Sequence, residues 1–239
     1  MIDELRAVLD CIFPPQCAAC ESLINAGENR ILCPECAQAI KFISPPMCPI
    51  CGTTYPLPEV NHPCGECLLR PPAFQRARAL GFYEPPLLHL IHQFKYHGNR
   101  TLGHYLGRLM AEKNYFDLDF KTFDVVIPVP LHNHKLRERT FNQALILARE
   151  VARRHQIPCD CSALRRRVDT KPQVALKKEE RERNVRGAFL VTNPRAIKNK
   201  KILLIDDVFT TGGTVNECAR VLMQTGARDV SVLTLARAV

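Results

Sequence analysis

The chain has 239 residues, 46% hydrophobic and 24% charged, enough for one large or two smaller soluble domains. No run approaches the roughly 18 consecutive apolar residues of a membrane-spanning helix. The net charge of +9 is uneven: residues 131–201 hold 19 Lys/Arg against 7 Asp/Glu, while the rest, 14 against 17, is slightly acidic. That basic stretch points to a phosphate-bearing ligand or a nucleic acid, the plain alternative being a solvated surface.

The first fifteen residues carry Asp3, Glu4 and Asp10 and lack a basic segment ahead of an apolar core, which argues against a secretory signal. Ile2, Leu5, Val8, Leu9 and Ile12 instead fit one face of a short helix. A cytoplasmic address is expected.

Nine of the twelve cysteines lie in the first 67 residues. With no export signal, metal binding is a better reading than disulfides. Eight of them form two copies of C-x2-C-x12-C-x2-C, every cysteine recurring 31 positions later: Cys17, Cys20, Cys33 and Cys36, then Cys48, Cys51, Cys64 and Cys67. A C-x2-C turn points two sulfurs at one ion, and two such turns complete a tetrahedral four-thiolate zinc site. With every position filled by sulfur, both sites are structural. Redox pairs, an iron–sulfur cluster and an interleaved pairing of the four turns remain alternatives. Cys11, Cys159, Cys161 and Cys218 lack the spacing and read as ordinary buried thiols. A segment this small needs metal to fold, so a chelator is expected to unfold residues 1–70 and spare the rest.

Pro71-Pro72 marks a boundary, dividing the chain into 1–72 and 73–239. Beyond it, strands are expected at Ala79–Tyr83, Phe123–Val129, Ala188–Val191, Lys201–Asp206 and Val230–Leu235. Helices are expected at Leu87–Tyr96, Leu102–Met110, Phe141–Arg154 and Thr214–Thr225, with a basic loop before the third. Apolar strands alternating with helices imply an α/β fold, a mostly parallel sheet covered on both faces. Ligands bind such sheets at the carboxyl ends of strands.

One strand end carries more chemistry than the others. In ILLIDDVFTTGGT, residues 202–214, an apolar strand delivers Asp206 and Asp207, and Thr210-Thr211-Gly212-Gly213-Thr214 then opens a helix. The glycines let backbone N–H groups approach an anion, the hydroxyls add donors, and the helix start adds its dipole. Together they make a socket for one phosphate monoester, while the carboxylates accept from vicinal hydroxyls. A ligand with a ribose diol and a 5′-phosphate satisfies both. A metal or phosphoacceptor site is the competing reading of an acidic pair, but it lacks this turn. Nor is it a Walker A loop, having no Gly-Lys-Ser/Thr. No Ser/His/Asp triad or Cys–His dyad is visible, and His89, His92, His97 and His104 read as packing or surface residues.

This stretch resembles the signature of the type I phosphoribosyltransferases, which bind phosphoribosyl pyrophosphate (PRPP). With the cysteine repeat in front, the whole chain resembles the competence protein F (ComF)/GntX family. Phe94-Lys95-Tyr96, Pro128-Val129-Pro130, Arg137-x-Arg139-Thr140-Phe141-Asn142-Gln143 and Thr170-x-x-Gln173 leading to Arg181-x-x-Asn184 carry the likeness further. The family commonly has glycine where Thr140 stands, and a β-branched residue is strained if that position needs φ > 0.

The resemblance implies a type I phosphoribosyltransferase-like domain behind a small double zinc ribbon. It implies a PRPP-binding stretch of Asp206, Asp207, Val208, Phe209, Thr210, Thr211, Gly212, Gly213 and Thr214. Asp206 and Asp207 would hold the ribose hydroxyls and the turn would hold the 5′-phosphate, with Mg2+ carried in by the ligand. Lys95, Arg137 and Arg139 become candidates for neutralising pyrophosphate, and residues 165–187 match the mobile loop of the fold. Two functions follow: a phosphoribosyltransferase acting on an unnamed acceptor, or a non-enzymatic single-stranded DNA-handling protein of transformation, partnered by competence-machinery proteins, that uses the pocket as sensor or docking site. Phe141 is the sole aromatic residue from 124 to 188, so any DNA binding should be mainly electrostatic.

Overall fold

A computed structural model describes residues 13–24, 31–57, 62–168 and 185–238, apart from the side chains of Asn133, Lys135 and Glu138. The expected N-terminal helix, Cys11, and the motif residues Thr170, Gln173, Arg181 and Asn184 lie outside the described residues, as does most of the 165–187 loop.

Two short helices, α1 (Pro34–Gln38) and α2 (Gly65–Leu69), belong to the cysteine repeat. Strand β1 (Arg76–Phe82) follows, then α3 (Leu87–Tyr96) and α4 (Arg100–Glu112). Next come β2 (Val125–Pro128), α5 (Asn133–Arg139) and α6 (Gln143–His155). Two short strands, β3 (Leu164–Arg166) and β4 (Phe189–Val191), precede α7 (Pro194–Ile197), β5 (Lys201–Phe209), α8 (Gly213–Gln224) and β6 (Asp229–Arg237).

The main sheet has four strands in the order β1–β6–β5–β2, and all three pairings are parallel. Alternation along β5 sends Leu203 and Ile205 to one face and Ile202 and Leu204 to the other. On the first face they meet buried residues of α3, α4 and α6, among them Phe94, Leu106 and Leu147. On the second they meet α8 through Val215, Cys218 and Leu222, together with β3 and β4. Helices therefore cover both faces, which is why the strands read as continuous apolar runs.

Three details depart from the expected elements. The basic loop after β2 is the helix α5; no Gly or Pro interrupts its NHKLRER sequence, and Lys, Leu, Arg and Glu are good helix formers. The strand near Ala188–Val191 is not in the main sheet but pairs antiparallel with β3, a strand the charged sequence RRR concealed. And β5 continues past the acidic pair to Phe209, because β6 offers Ala236 and Arg237 as partners for Val208 and Phe209.

Thr140 ends α5 in the left-handed conformation, φ 63°, so the backbone keeps the shape glycine would give it. Its Oγ1 donates to the Arg139 carbonyl at 2.6 Å. A threonine there costs about 1–3 kcal/mol. Thr140→Gly returns most of that, less the extra chain entropy of glycine. The expected outcome is a melting temperature raised by about 2–4 °C per kcal/mol recovered, read by thermal denaturation; a lower value would mean that the hydroxyl contact outweighs the strain.

The cysteine-repeat segment docks on the open edge of β1. Phe82 N–H donates to Lys41 O at 3.0 Å and Ile43 N–H to Leu80 O at 3.1 Å, adding a short antiparallel stretch to the sheet. Lys113 fastens the same seam, its Nζ donating to the Ile43 and Leu80 carbonyls at 2.5 and 2.9 Å. Among the described residues no helix is long and apolar enough to cross a membrane.

Candidate functional site

The eight repeat cysteines gather into two groups, Cys17/Cys20/Cys33/Cys36 and Cys48/Cys51/Cys64/Cys67, whose sulfurs lie within 4.8 Å of one another. The pairing is sequential, which excludes the interleaved arrangement. Sulfur separations of 3.8 Å for Cys20–Cys33 and 3.6 Å for Cys51–Cys64 match the edge of about 3.8 Å of a tetrahedron with Zn–S bonds near 2.3 Å. Backbone N–H groups support the thiolates: Cys33 N–H donates to Cys17 Sγ at 3.4 Å and Cys64 N–H to Cys48 Sγ at 3.3 Å. The donor set fits two structural zinc ions. Outside these groups, Cys218 is buried as expected, Cys159 is partly buried, and Cys161 is exposed, contrary to expectation, because it lies on the loop before β3.

The acidic pair stands where β5 passes the end of β2. Pro128 is paired with Ile205, and Val129 N–H donates to Ile205 O at 2.9 Å, so the loop after β2 starts beside Asp206. Asp206 is set deep: burial first, and the Asp207 charge second, push its carboxyl up to about 7, while Lys95 and Arg166 pull the other way. Its Oδ1 accepts from Asp207 N–H at 2.9 Å. Asp207 faces Lys95 of α3, Oδ2 to Nζ 3.0 Å, with both side chains only 15% exposed. Burial opposes the Lys95 charge, but the Asp207 carboxylate outweighs it and holds Lys95 above the usual lysine value.

The turn after β5 has the geometry of an anion cradle. Gly212 caps α8 with φ +76° and has no side chain to fill the capping position. Thr210 and Thr211 are partly exposed, and Thr211 Oγ1 accepts from Gly213 N–H at 3.5 Å. Phe209 turns beneath the turn: buried, it stacks under the Arg237 guanidinium at 4.5 Å and edge-on to Phe74 at 6.1 Å. A Cβ on Gly212 would come within 2.6 Å of the Phe209 ring. Gly212→Ala therefore combines a clash with a disfavoured φ and is expected to destabilise by about 2 kcal/mol; an unchanged denaturation midpoint would mean that the turn relaxes freely.

Arg139 reaches toward this site from α5, its guanidinium 5.6 Å from the Tyr96 ring centre and its Nη1 donating to Gln143 Oε1 at 3.3 Å. Arg137 is exposed on the same helix. The structure thus brings Lys95 directly onto the acidic pair and leaves the two arginines further out, on the adjoining helix. Arg166 belongs to this neighbourhood as well and was hidden within a run of three arginines. Of His89, His92, His97 and His104, two have side-chain partners: His104 meets Glu150 at 2.8 Å and His92 meets Tyr83 at 3.0 Å. A cavity of about 1020 Å³ lies elsewhere, between the cysteine-repeat segment and the end of α4, and holds none of these groups.

Both parts of the chain resemble known proteins. A double zinc ribbon domain is matched over residues 8–68 and a phosphoribosyl transferase domain over residues 142–238. Competence protein F of Haemophilus influenzae is 31% identical over 230 residues, covering 93% of this chain and 97% of that protein. DNA utilization protein YhgH of Shigella flexneri is 33% identical over 227 residues, 94% and 97% of the two chains. Competence protein ComFC of Bacillus subtilis is 29% identical over 219 residues, 86% and 84%. Two sequential four-cysteine sites, a parallel phosphoribosyltransferase-type sheet and end-to-end identity with these relatives make the chain a member of the competence protein F family.

Proposed function

We propose that the protein binds PRPP at the end of β5 and promotes displacement of its pyrophosphate by a nucleophilic acceptor. The observation that carries this reading is the succession of Asp206, Asp207 and the left-handed Gly212 turn on one strand end. The turn would take the 5′-phosphate through backbone N–H groups and the Thr210, Thr211 and Thr214 hydroxyls. Asp206 and Asp207 would accept from the ribose hydroxyls. Magnesium would enter with the pyrophosphate, where the hard carboxylate oxygens suit it, and would neutralise charge.

In the reaction the bond from ribose C1 to the pyrophosphate oxygen breaks and a bond from C1 to the acceptor forms, through a transition state of oxocarbenium character. No covalent protein nucleophile is needed; positioning and charge stabilisation supply the rate. Arg137 and Arg139 are the candidates to stabilise the leaving pyrophosphate. Lys95 faces Asp207 and would set the charge of the acidic pair. Calorimetric titration with magnesium–PRPP tests the reading. Saturable binding that Gly212→Ala abolishes supports it, and an absence of heat with wild-type protein overturns it. A cytoplasmic site of action accords with eight reduced thiolates.

The basic stretch 131–201 favours a second reading, a DNA-handling role, and the relatives named DNA utilization protein accord with it. Binding of a single-stranded oligonucleotide should then weaken steeply as salt rises; a salt-independent affinity would remove the idea.

A further inference from the structure

Several arginines of this molecule have carboxylate partners. Arg76 and Arg78 meet Asp117, Arg153 meets Glu150 at 2.8 Å, and Arg220 meets Glu217 at 2.6 Å. Three others do not: among the described residues, Arg100, Arg149 and Arg165 make no ion pair. These three come from α4, α6 and β3, far apart in sequence, yet they line one cavity of about 740 Å³ together with His104 and Arg166. Among the described residues no Asp or Glu lines that cavity. Three guanidinium groups around one space with no ion pair among the described residues repel one another, and a bound anion is the natural counter-charge.

The cavity is also too large for a bare phosphate ion. Its volume falls in the range of about 300–1,000 Å³ usual for small-molecule sites. Leu131, Leu136, Leu145 and Ile146 supply an apolar part of its lining, with Arg100 lying 5.5 Å from the Phe141 ring centre. A lining that is part cationic and part apolar matches a phosphate joined to a flat ring system.

The groove flanks the turn after β5 without sharing a residue with it. It begins at Pro130, one residue beyond Val129, which is bonded to Ile205 beside the acidic pair. From there it runs between α6 and the start of β3, past Arg149 and Leu164. We propose that this groove is a second, separate anion site that binds a nucleoside 5′-monophosphate. Arg149 and Arg165 hold the phosphate by charge-assisted hydrogen bonds, and the base lies on the Leu145–Ile146 wall. The site goes beyond the PRPP reading and does not depend on it.

The test is calorimetric titration of the full-length zinc-loaded protein with AMP, GMP, CMP and UMP, and with adenosine as the phosphate-free control. At least one nucleotide is expected to bind saturably at one site per chain, with adenosine about tenfold weaker or undetectable. Arg149→Ala/Arg165→Ala, whose side chains are exposed, should weaken that binding about tenfold or more while circular dichroism and melting stay at wild-type values. Thr210→Ala/Thr211→Ala, which strips the turn after β5, should leave it unchanged. If no nucleotide binds, the proposal falls. It falls equally if the threonine variant weakens nucleotide binding as much as the arginine variant, because the nucleotide would then occupy the β5 turn. Failure of PRPP to bind would leave these titrations unaffected, so the two readings stand or fall separately.

Discussion

Replacing Cys48 by Ser, or stripping the metal with a strong chelator, is expected to unfold the cysteine-repeat segment and expose the β1 edge. A structural zinc site of this kind contributes about 10–16 kcal/mol at neutral pH, as much as the whole stability of an ordinary domain. Cys48 is fully buried, and the apolar support around its group consists of little besides Ile50 and Tyr55. No hydrophobic core can stand in for the metal. The loss would not stop at residue 70. Ala77 N–H donates to Ile50 O at 2.7 Å, and Arg237 Nη1 donates to Cys51 O at 2.6 Å and Nη2 to Thr53 Oγ1 at 2.5 Å. Cys17, Ile24, Leu32 and Ile40 join the same core as α3 and α4. The rest of the sheet should keep its secondary structure but self-associate through the unpaired β1 edge. Zinc quantification, amide hydrogen exchange and size-exclusion chromatography read this together. Unchanged exchange protection in residues 31–57 after complete metal removal would show that the segment folds without zinc.

The Asp206→Asn/Asp207→Asn variant is expected to lose magnesium–PRPP binding by about a hundredfold or more while melting at or above the wild-type temperature. The binding loss follows from removing two charged acceptors, each worth about 1.5–3 kcal/mol. The stability follows from burial. The Asp206 carboxyl, pushed up to about 7 chiefly by burial, favours its protonated form in the folded protein. A raised folded-state value means that the stability Asp206 contributes is complete below its unfolded value of about 4 and declines as pH rises through about 7. An asparagine in place of Asp206 has no charge to bury, so the variant's advantage should appear on going from pH 4 to pH 8. Against this, Asp207→Asn leaves Lys95 without its 3.0 Å partner, which removes part of the gain. The single variants separate the terms: Asp206→Asn should stabilise at pH 8 and Asp207→Asn should destabilise. A large drop in melting temperature for Asp206→Asn would make that carboxylate a structural element.

How much of this was legible in the sequence depended on distance along the chain. Zinc ligands chelate in C-x2-C turns, a local geometry, so the eight cysteines could be read from spacing; only the sequential pairing needed coordinates. The strand 202–205 and the turn Thr210–Thr214 are equally local, since an apolar run and a pair of glycines constrain their own backbone. Thr140 was a half-reading. The family resemblance flagged the position, and the structure decided that the backbone keeps φ 63° in spite of the β-branched side chain.

What only the tertiary structure decided lies between distant segments. Lys95 meeting Asp207, residues 41–43 capping the edge of β1, and Arg100, Arg149 and Arg165 converging on one groove all depend on how helices pack against a sheet. Charge composition located the basic stretch but not its geometry, because a run of arginines carries no period that says which of them face inward. The sequence by itself determined the spacing of the cysteine pairs and the local shape of the strand end and its turn, where a few adjacent residues suffice. Partnerships across the fold were left to packing, where burial and the sheet register choose among many equivalent charges.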